Sequence, residues 1–228
     1  MQKVTIVMTD NALLQLLRLS SQALPIGGYA YSQGLETVCD NGTVDDEESL
    51  YVWIHDMLRN GLAYLDVPVF SLCFDAHQAQ DQKQVKYWND YLLASRETKE
   101  ILLEDTQMGA SLARLLVSLD FNLDHINKKQ CSLVTLFSLA SVHWNIDKNM
   151  ALHGLLWAWC ENQVSIGIKL IPLGQTSGQI ILTRLMADIN HAIECGLNVE
   201  EESIGSSCPG AIMASMQHEE QYSRLFRS

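Results

Sequence analysis

Residues 133–144, LVTLFSLASVHW, are apolar over almost their whole length. Residues 150–170, MALHGLLWAWCENQVSIGIKL, follow after a short break and carry few polar side chains, among them His153 and Glu161. Apolar runs of more than about ten residues favour helices over strands. A helix that is apolar on all sides is buried inside a protein. We therefore predict that these two segments form helices at the centre of an all-α fold.

Amphipathic segments surround this centre. Leu50, Trp53, Ile54 and Met57 recur at helical spacing. Thr43 is the candidate N-cap of that helix, since the acids that follow it suit the positive end of a helix dipole. Further helices are expected to begin near Pro68, to include Trp88–Ser95, and to span Glu97–Leu119 and Gly174–Cys195.

Two features refine these helices. Along Glu97–Leu119 we expect one buried apolar stripe and an opposite, charged face in water. Gly196 stands where a C-cap glycine belongs. The acidic stretch Asn198–Ser207, which contains Gly and Ser, is interpreted as a tether to the last residues.

The pattern as a whole predicts one all-α domain over residues 1–228. It is an orthogonal bundle of about eight to ten helices, with a tether and a C-terminal docking tail in 197–228. Gly and Pro together are scarce, and no series of alternating strands occurs. Both observations favour long helices over a loop-rich β fold.

Composition excludes several classes of function. The 27 acids against 15 bases give a net charge of −12, the wrong sign for steering toward nucleic acid. No apolar run is long enough to cross a bilayer, so no membrane partner is expected. The six cysteines form no C-x-x-C pair, which is typical of a reduced, cytoplasmic chain.

Signatures of catalysis are missing. Residues 174–179, GQTSGQ, resemble a phosphate loop but lack its Lys-Ser/Thr pair. No G-x-S-x-G elbow occurs. No two of the seven histidines lie three or four residues apart, so one helix does not supply a pair of histidine ligands. Ligands could still converge from different helices, and the metal ligands, if any, stay unknown.

Two connecting segments stand out. Residues 24–36, LPIGGYAYSQGLE, either form a tight crossing between helices or present Tyr29, Ser32, Gln33 and Glu36 on a rigid surface. In residues 169–175, KLIPLGQ, the side chain of Lys169 either extends to water, favoured there by the helix dipole, or pairs with a carboxylate, for which Glu36 is our candidate.

The last eight residues, QYSRLFRS at 221–228, are unusual for the end of a chain. Such ends are commonly polar and frayed, whereas this one carries side chains that supply binding energy at interfaces. It is expected to dock, either onto the body of the protein or onto a partner. The anchors are Tyr222, Arg224, Leu225, Phe226 and Arg227.

These three segments, in this order, resemble the UreF family of urease accessory proteins over essentially the whole chain. The resemblance implies an all-α, non-enzymatic chaperone that forms a homodimer. It implies binding to UreD (also called UreH), recruitment of the GTPase UreG, and delivery of nickel to the urease apoprotein. Nickel would be handled by the complex, with no cofactor held stably by this chain.

The resemblance also assigns residues. The five tail anchors would contact UreD, together with Tyr29, Ser32 and Gln33. Glu36, Lys169 and Gln175 would form the UreG-facing or gating surface. Two alternatives stay open: an all-α metal-dependent enzyme with a pocket between helices, and a generic helical adaptor whose tail folds back on itself.

Overall fold

The computed structural model describes residues 9–124, 126–205 and 207–228. Ten α-helices and no strand occur within these ranges, as the all-α prediction required. The helices are α1 (Asp10–Leu19), α2 (Leu35–Asp40), α3 (Glu47–Asp56), α4 (Asp66–Gln78), α5 (Gln82–Ala94), α6 (Lys99–Ser118), α7 (Leu133–His143), α8 (Lys148–Leu170), α9 (Gln175–Leu197) and α10 (Pro209–Glu219).

The two apolar segments lie at the centre, as predicted. In α7 most side chains are buried, with Leu136 and Phe137 almost fully enclosed. Helix α8 packs against α1, α2, α3, α4, α7 and α9. No helix in the described ranges combines the length and apolar character that a bilayer span requires.

A buried ion pair network ties α4 to α6. Arg96, in the link between α5 and α6, lies 2.7 Å from Asp66 of α4 and 2.8 Å from Asp105 of α6. Burial opposes the charge of Arg96, but the two carboxylates outweigh burial and raise the pKa of the guanidinium. Asp105 also accepts a hydrogen bond from the backbone N–H of Leu133, so the same network positions the start of α7.

The N-cap prediction for α3 is wrong. Thr43 lies in a turn, where its N–H donates to Asn41 Oδ1. Asp46 is the cap: its side chain accepts from Ser49 N at 2.8 Å, and Ser49 Oγ in turn accepts from Asp46 N at 3.0 Å. This reciprocal capping box satisfies more free N–H groups than Thr43 could reach. The helix continues as a π-helical turn, Met57–Leu62.

Two further expectations near the C-terminal end are corrected. Gly196 lies inside α9, which ends at Leu197, so it is not the C-cap. Its lack of a side chain serves packing instead, since a Cβ there would be 2.5 Å from Val67 Cγ1 of α4. The expected tether is packed where it is described: Ile204 is buried, and Gly205 N donates to Tyr64 O at 3.0 Å. Helix α10, which follows, was not predicted.

Candidate functional site

The acidic face of α6 is buried, which contradicts the expectation that it faces water. Glu100, Glu104 and Asp105 are each less than a tenth exposed, whereas Leu102 and Leu103 are 38% and 48% exposed. A buried carboxylate is tolerated only when donors surround it. The donors come from the 24–36 segment, α10, the tail and Arg96, and together they define the site.

Glu36, in the first turn of α2, binds the backbone of the tail. Its Oε1 accepts from Leu225 N at 2.7 Å and its Oε2 from Phe226 N at 2.9 Å. Only 5% of Glu36 is exposed. One carboxylate thus satisfies two consecutive amides, in charge-assisted bonds that are stronger than neutral ones.

His218 of α10 connects Glu36 to α6. The ring is fully buried, with Nε2 3.2 Å from Glu36 Oε2 and Nδ1 2.8 Å from Glu100 Oε2. Arg224 of the tail donates to the other oxygen of Glu100 at 2.9 Å. An imidazole donates from both nitrogens only when it is protonated, and in that form the ring would give one hydrogen bond to Glu36 and one to Glu100.

Helix α10 approaches α2 at a glycine. Gly34 has φ +82°, and a Cβ there would lie 2.9 Å from both Ala214 Cβ and Ser215 N. A side chain at this position would therefore be strained in its backbone and also blocked by α10. The absence of a side chain lets His218 reach Glu36.

The last two residues pair with the 24–36 segment. Arg227 N donates to Ala30 O at 2.8 Å, and Ser32 N donates to Ser228 O at 2.7 Å. Ser32 Oγ donates to the same oxygen of Ser228, and Ser228 Oγ donates to Glu104 Oε2 at 2.9 Å. Ser32 and Ser228 are fully buried as a result.

Glu104 is the group in the site whose pKa is most clearly perturbed toward neutral pH. Burial raises the pKa of Glu104 from 4.5 to about 7, although hydrogen bonds from Gln33 and Ser228 act in the opposite direction. Gln33 Nε2 donates to Glu104 Oε1 at 2.7 Å, and Gln33 Oε1 accepts from Trp159 Nε1 at 2.9 Å. This chain of bonds links α6 to the central helix α8.

While the backbone of the tail is held, several of its side chains are exposed, and one aromatic and one aliphatic side chain are among them. Tyr222 is completely exposed and Leu225 is 81% exposed. Phe226 is half-buried and packs against the core. Tyr29 is 64% exposed. The tail therefore folds back onto the body, as one of the sequence alternatives proposed, yet it still presents apolar side chains to solvent.

The remaining predicted site residues lie differently. Ser32 and Glu36 do not face outward, because the tail covers them. Lys169 is exposed at the end of α8 and does not pair with Glu36, whose oxygens are occupied by tail amides and His218. Gln175 is exposed at the first position of α9.

Sequence reasoning did not assign site roles to Glu100, Glu104, His218 and Ser228. The acids of α6 were read as part of a solvated face, because helical periodicity alone does not distinguish an acidic surface from an acidic face that donors cover. The one available signal was spacing. Glu100 and Glu104 lie four apart and therefore share a face, and that face meets donors separated by more than one hundred residues in the chain.

A cavity of about 200 Å³ lies beside the network. Most of its lining is apolar, and Gln33, Asp66, Arg96, Glu104 and Asp105 contribute the polar part of one wall. Throughout the described ranges, no group of three or more His, Cys, Asp or Glu side chains is placed to hold a metal ion.

Replacing Glu36 by Gln should release the tail. The amide has a single acceptor oxygen, and its NH₂ group opposes the second tail N–H. We expect faster tryptic cleavage after Arg224, followed by mass spectrometry, with an unchanged far-ultraviolet circular dichroism spectrum. Glu219→Gln, at an exposed position of the same network's helix, is the matched control. Equal cleavage of both variants would contradict the assigned role of Glu36.

Glu104→Gln should change how stability depends on pH. The raised pKa means that the folded protein binds a proton that the unfolded chain lacks between pH 4.5 and about 7. The penalty for burying the charge is therefore fully present above about pH 7 and disappears as the pH falls toward 4.5. In urea titrations the free energy of unfolding of the variant should be higher than that of the wild type by on the order of 1–3 kcal/mol near pH 8. Near pH 5 the difference should be much smaller. An equal difference at both pH values would refute this assignment.

Comparison with known proteins agrees with the resemblance seen in the sequence. The UreF family model matches residues 44–186. A urease accessory protein UreF from Marinomonas sp. (strain MWYL1) is 47% identical over 98% of this chain and 97% of its own length. Proteins of the same name from Hahella chejuensis and Nostoc sp. are 44% and 39% identical over 97% and 98% of this chain, covering 100% and 99% of their own lengths. The chain belongs to the UreF family of urease accessory proteins.

Proposed function

We propose that this protein is a non-enzymatic chaperone of urease maturation. It binds UreD (UreH), the pair recruits the GTPase UreG, and the assembly inserts nickel into the urease apoprotein. In this scheme the protein couples the nucleotide state of UreG to metal delivery and acts as a homodimer. Membership of a family named for urease accessory proteins supports the process, and the site geometry supports the mode of binding.

The single observation that carries the proposal is the two-sided tail. Its backbone is fixed by Glu36, Ala30 and Ser32, while Tyr222 and Leu225 are exposed. Aromatic side chains are enriched at protein interfaces, and a tyrosine is among the usual energetic anchors. A segment that is already ordered loses less conformational entropy when a partner binds. We assign Tyr222 and Leu225, with the nearby exposed Tyr29, to the contact with UreD.

Five other members of the predicted site act differently in this proposal. Ser32, Gln33, Glu36, Arg224 and Phe226 make intramolecular contacts, so they position the tail for UreD instead of touching it. Arg227 is exposed and offers UreD a guanidinium that pairs with carboxylates or carbonyls.

Lys169 and Gln175 are proposed to face UreG. They flank the short connection between α8 and α9, and both are exposed. In a chain with a net charge of −12, an exposed lysine at a helix end presents a local positive charge to a partner. The connection is joined to α8, the central helix, so contact there is transmitted to a rigid element.

The docking role of the tail is tested with Tyr222→Ala/Leu225→Ala. Deleting the tail would also strip donors from Glu36, Glu100 and Glu104, so this double variant is cleaner, because it removes only exposed side chains. We expect the affinity for purified UreD to fall at least tenfold, since truncating a central anchor costs about 2 kcal/mol or more. Titration calorimetry measures the change. Val117→Ala, exposed on α6, should bind like the wild type, and undiminished binding by the double variant would refute the assigned surface.

The role of Lys169 is tested by Lys169→Ala in reconstituted urease activation. We expect activation to fall severalfold while UreD and UreG still co-purify with the variant, because one exposed cation contributes little to stability. Lys83→Ala, exposed on α5, is the matched control. Full activation by Lys169→Ala would remove this residue from the proposed surface.

A further inference from the structure

The outer face of α9 carries a histidine and a cysteine in direct contact. His191 Nε2 lies 3.2 Å from Cys195 Sγ. The two residues are four positions apart, which places their side chains on the same side of a helix. His191 is exposed and Cys195 is half-buried, so neither residue is enclosed in the core. The hydrogen bonds described above for the tail run to the 24–36 segment, α2 and α6, so this pair lies outside that network.

We propose that His191 and Cys195 bind a divalent transition-metal cation of the borderline class that includes Ni²⁺ and Cu²⁺. Metal bonds of about 2.3 Å to sulfur and about 2.0–2.1 Å to nitrogen place the two donors about 3.1 Å apart at a 90° angle and about 3.6 Å apart at the tetrahedral angle. The observed 3.2 Å is close to the 90° value. Right-angled ligands are typical of square-planar or tetragonal Cu²⁺ and Ni²⁺, whereas Zn²⁺ prefers tetrahedral sites.

The chemistry of the pair restricts the cation further. On binding, the thiol of Cys195 releases its proton to solvent and the sulfur donates an electron pair to the metal, while neutral His191 donates the lone pair of Nε2. No electron transfer is involved. Thiolate and imidazole select borderline and soft cations over Mg²⁺ and Ca²⁺, which prefer oxygen. Glu194 is exposed on the same face of α9, and its charge adds to the attraction for a cation.

The site is open. Across the described ranges no third His, Cys, Asp or Glu completes it, so water or a group from another protein fills the other coordination positions. A metal held by two protein ligands exchanges more readily than one in a closed site. Metal binding at this site does not depend on the proposed function. The further idea that the site passes nickel to another protein does rest on it.

Titration of the full chain with NiCl₂, in the presence of a phosphine reductant, tests the proposal. Binding should produce a thiolate-to-Ni²⁺ charge-transfer absorption in the near ultraviolet. Cys195→Ser should abolish this absorption. His191→Gln should retain it but raise the apparent Kd at least tenfold, since even indirect partners of a metal ligand are worth about 10–100-fold in affinity.

Cys39→Ser is the control for thiol chemistry. Cys39 is also half-buried. Burial, and to a smaller extent the nearby charge of Glu36, raises the pKa of its thiol to about 12, so the thiolate that binds a metal is scarce. Titration of Cys39→Ser with NiCl₂ should therefore match that of the wild type. Absence of the absorption in the wild type would overturn the proposal, and so would its persistence in Cys195→Ser or an unchanged Kd in His191→Gln. The assay contains no partner protein, so its outcome is independent of the calorimetric test of UreD binding.

Discussion

Burial of carboxylates is the constraint on which the site depends. Glu36, Glu100, Glu104 and Asp105 are all withdrawn from water, and each would be costly without a donor. Arg96 satisfies Asp105 and, through Asp66, joins α4 to α6. The other three are satisfied largely from the C-terminal end of the chain, by His218, Arg224, Ser228 and the tail amides. These buried acids therefore need the tail in this position, because it supplies their hydrogen-bond donors.

This arrangement separates two tasks within one short segment. The amides of Leu225 and Phe226 and the guanidinium of Arg224 donate to buried carboxylates. The side chains of Tyr222 and Leu225 are exposed and make none of these bonds. We expect substitutions of the exposed side chains to leave the fold intact, and substitutions that remove a partner of a buried carboxylate to disturb the body as well. Loss of binding in a variant of Arg224 or Glu36 therefore does not by itself identify a contact with a partner.

The fold could be predicted because its signal is local. The apolar runs that became α7 and α8, and the four-residue spacing of Ile181, Leu185, Ile189 and Ile193 in α9, require only neighbouring residues. The site could be predicted only in part. The segments around Ser32, Glu36 and Phe226 were identified, but the bonds between Glu36 and the tail span about 190 positions, and periodicity carries no information on such pairing. The same limit explains the reversed acidic face of α6 and the incorrect pairing of Lys169.

The close crossing of α2 and α10 at Gly34 has an energetic consequence. The buried apolar side chains of α10 are the small Ala211 and Ala214, and polar contacts to α2 and α6 accompany them, including Thr98 Oγ1 with Ser215 Oγ at 2.8 Å. Regions secured by few apolar contacts open cooperatively at a free energy below that of global unfolding. Helix α10 and the tail accordingly form one such unit, and slow amide exchange in the core would coexist with faster exchange there. A protein that recognised only the opened form would shift this equilibrium in its own favour, and would gain access to the carboxylates of Glu36, Glu100 and Glu104, which α10 and the tail otherwise cover.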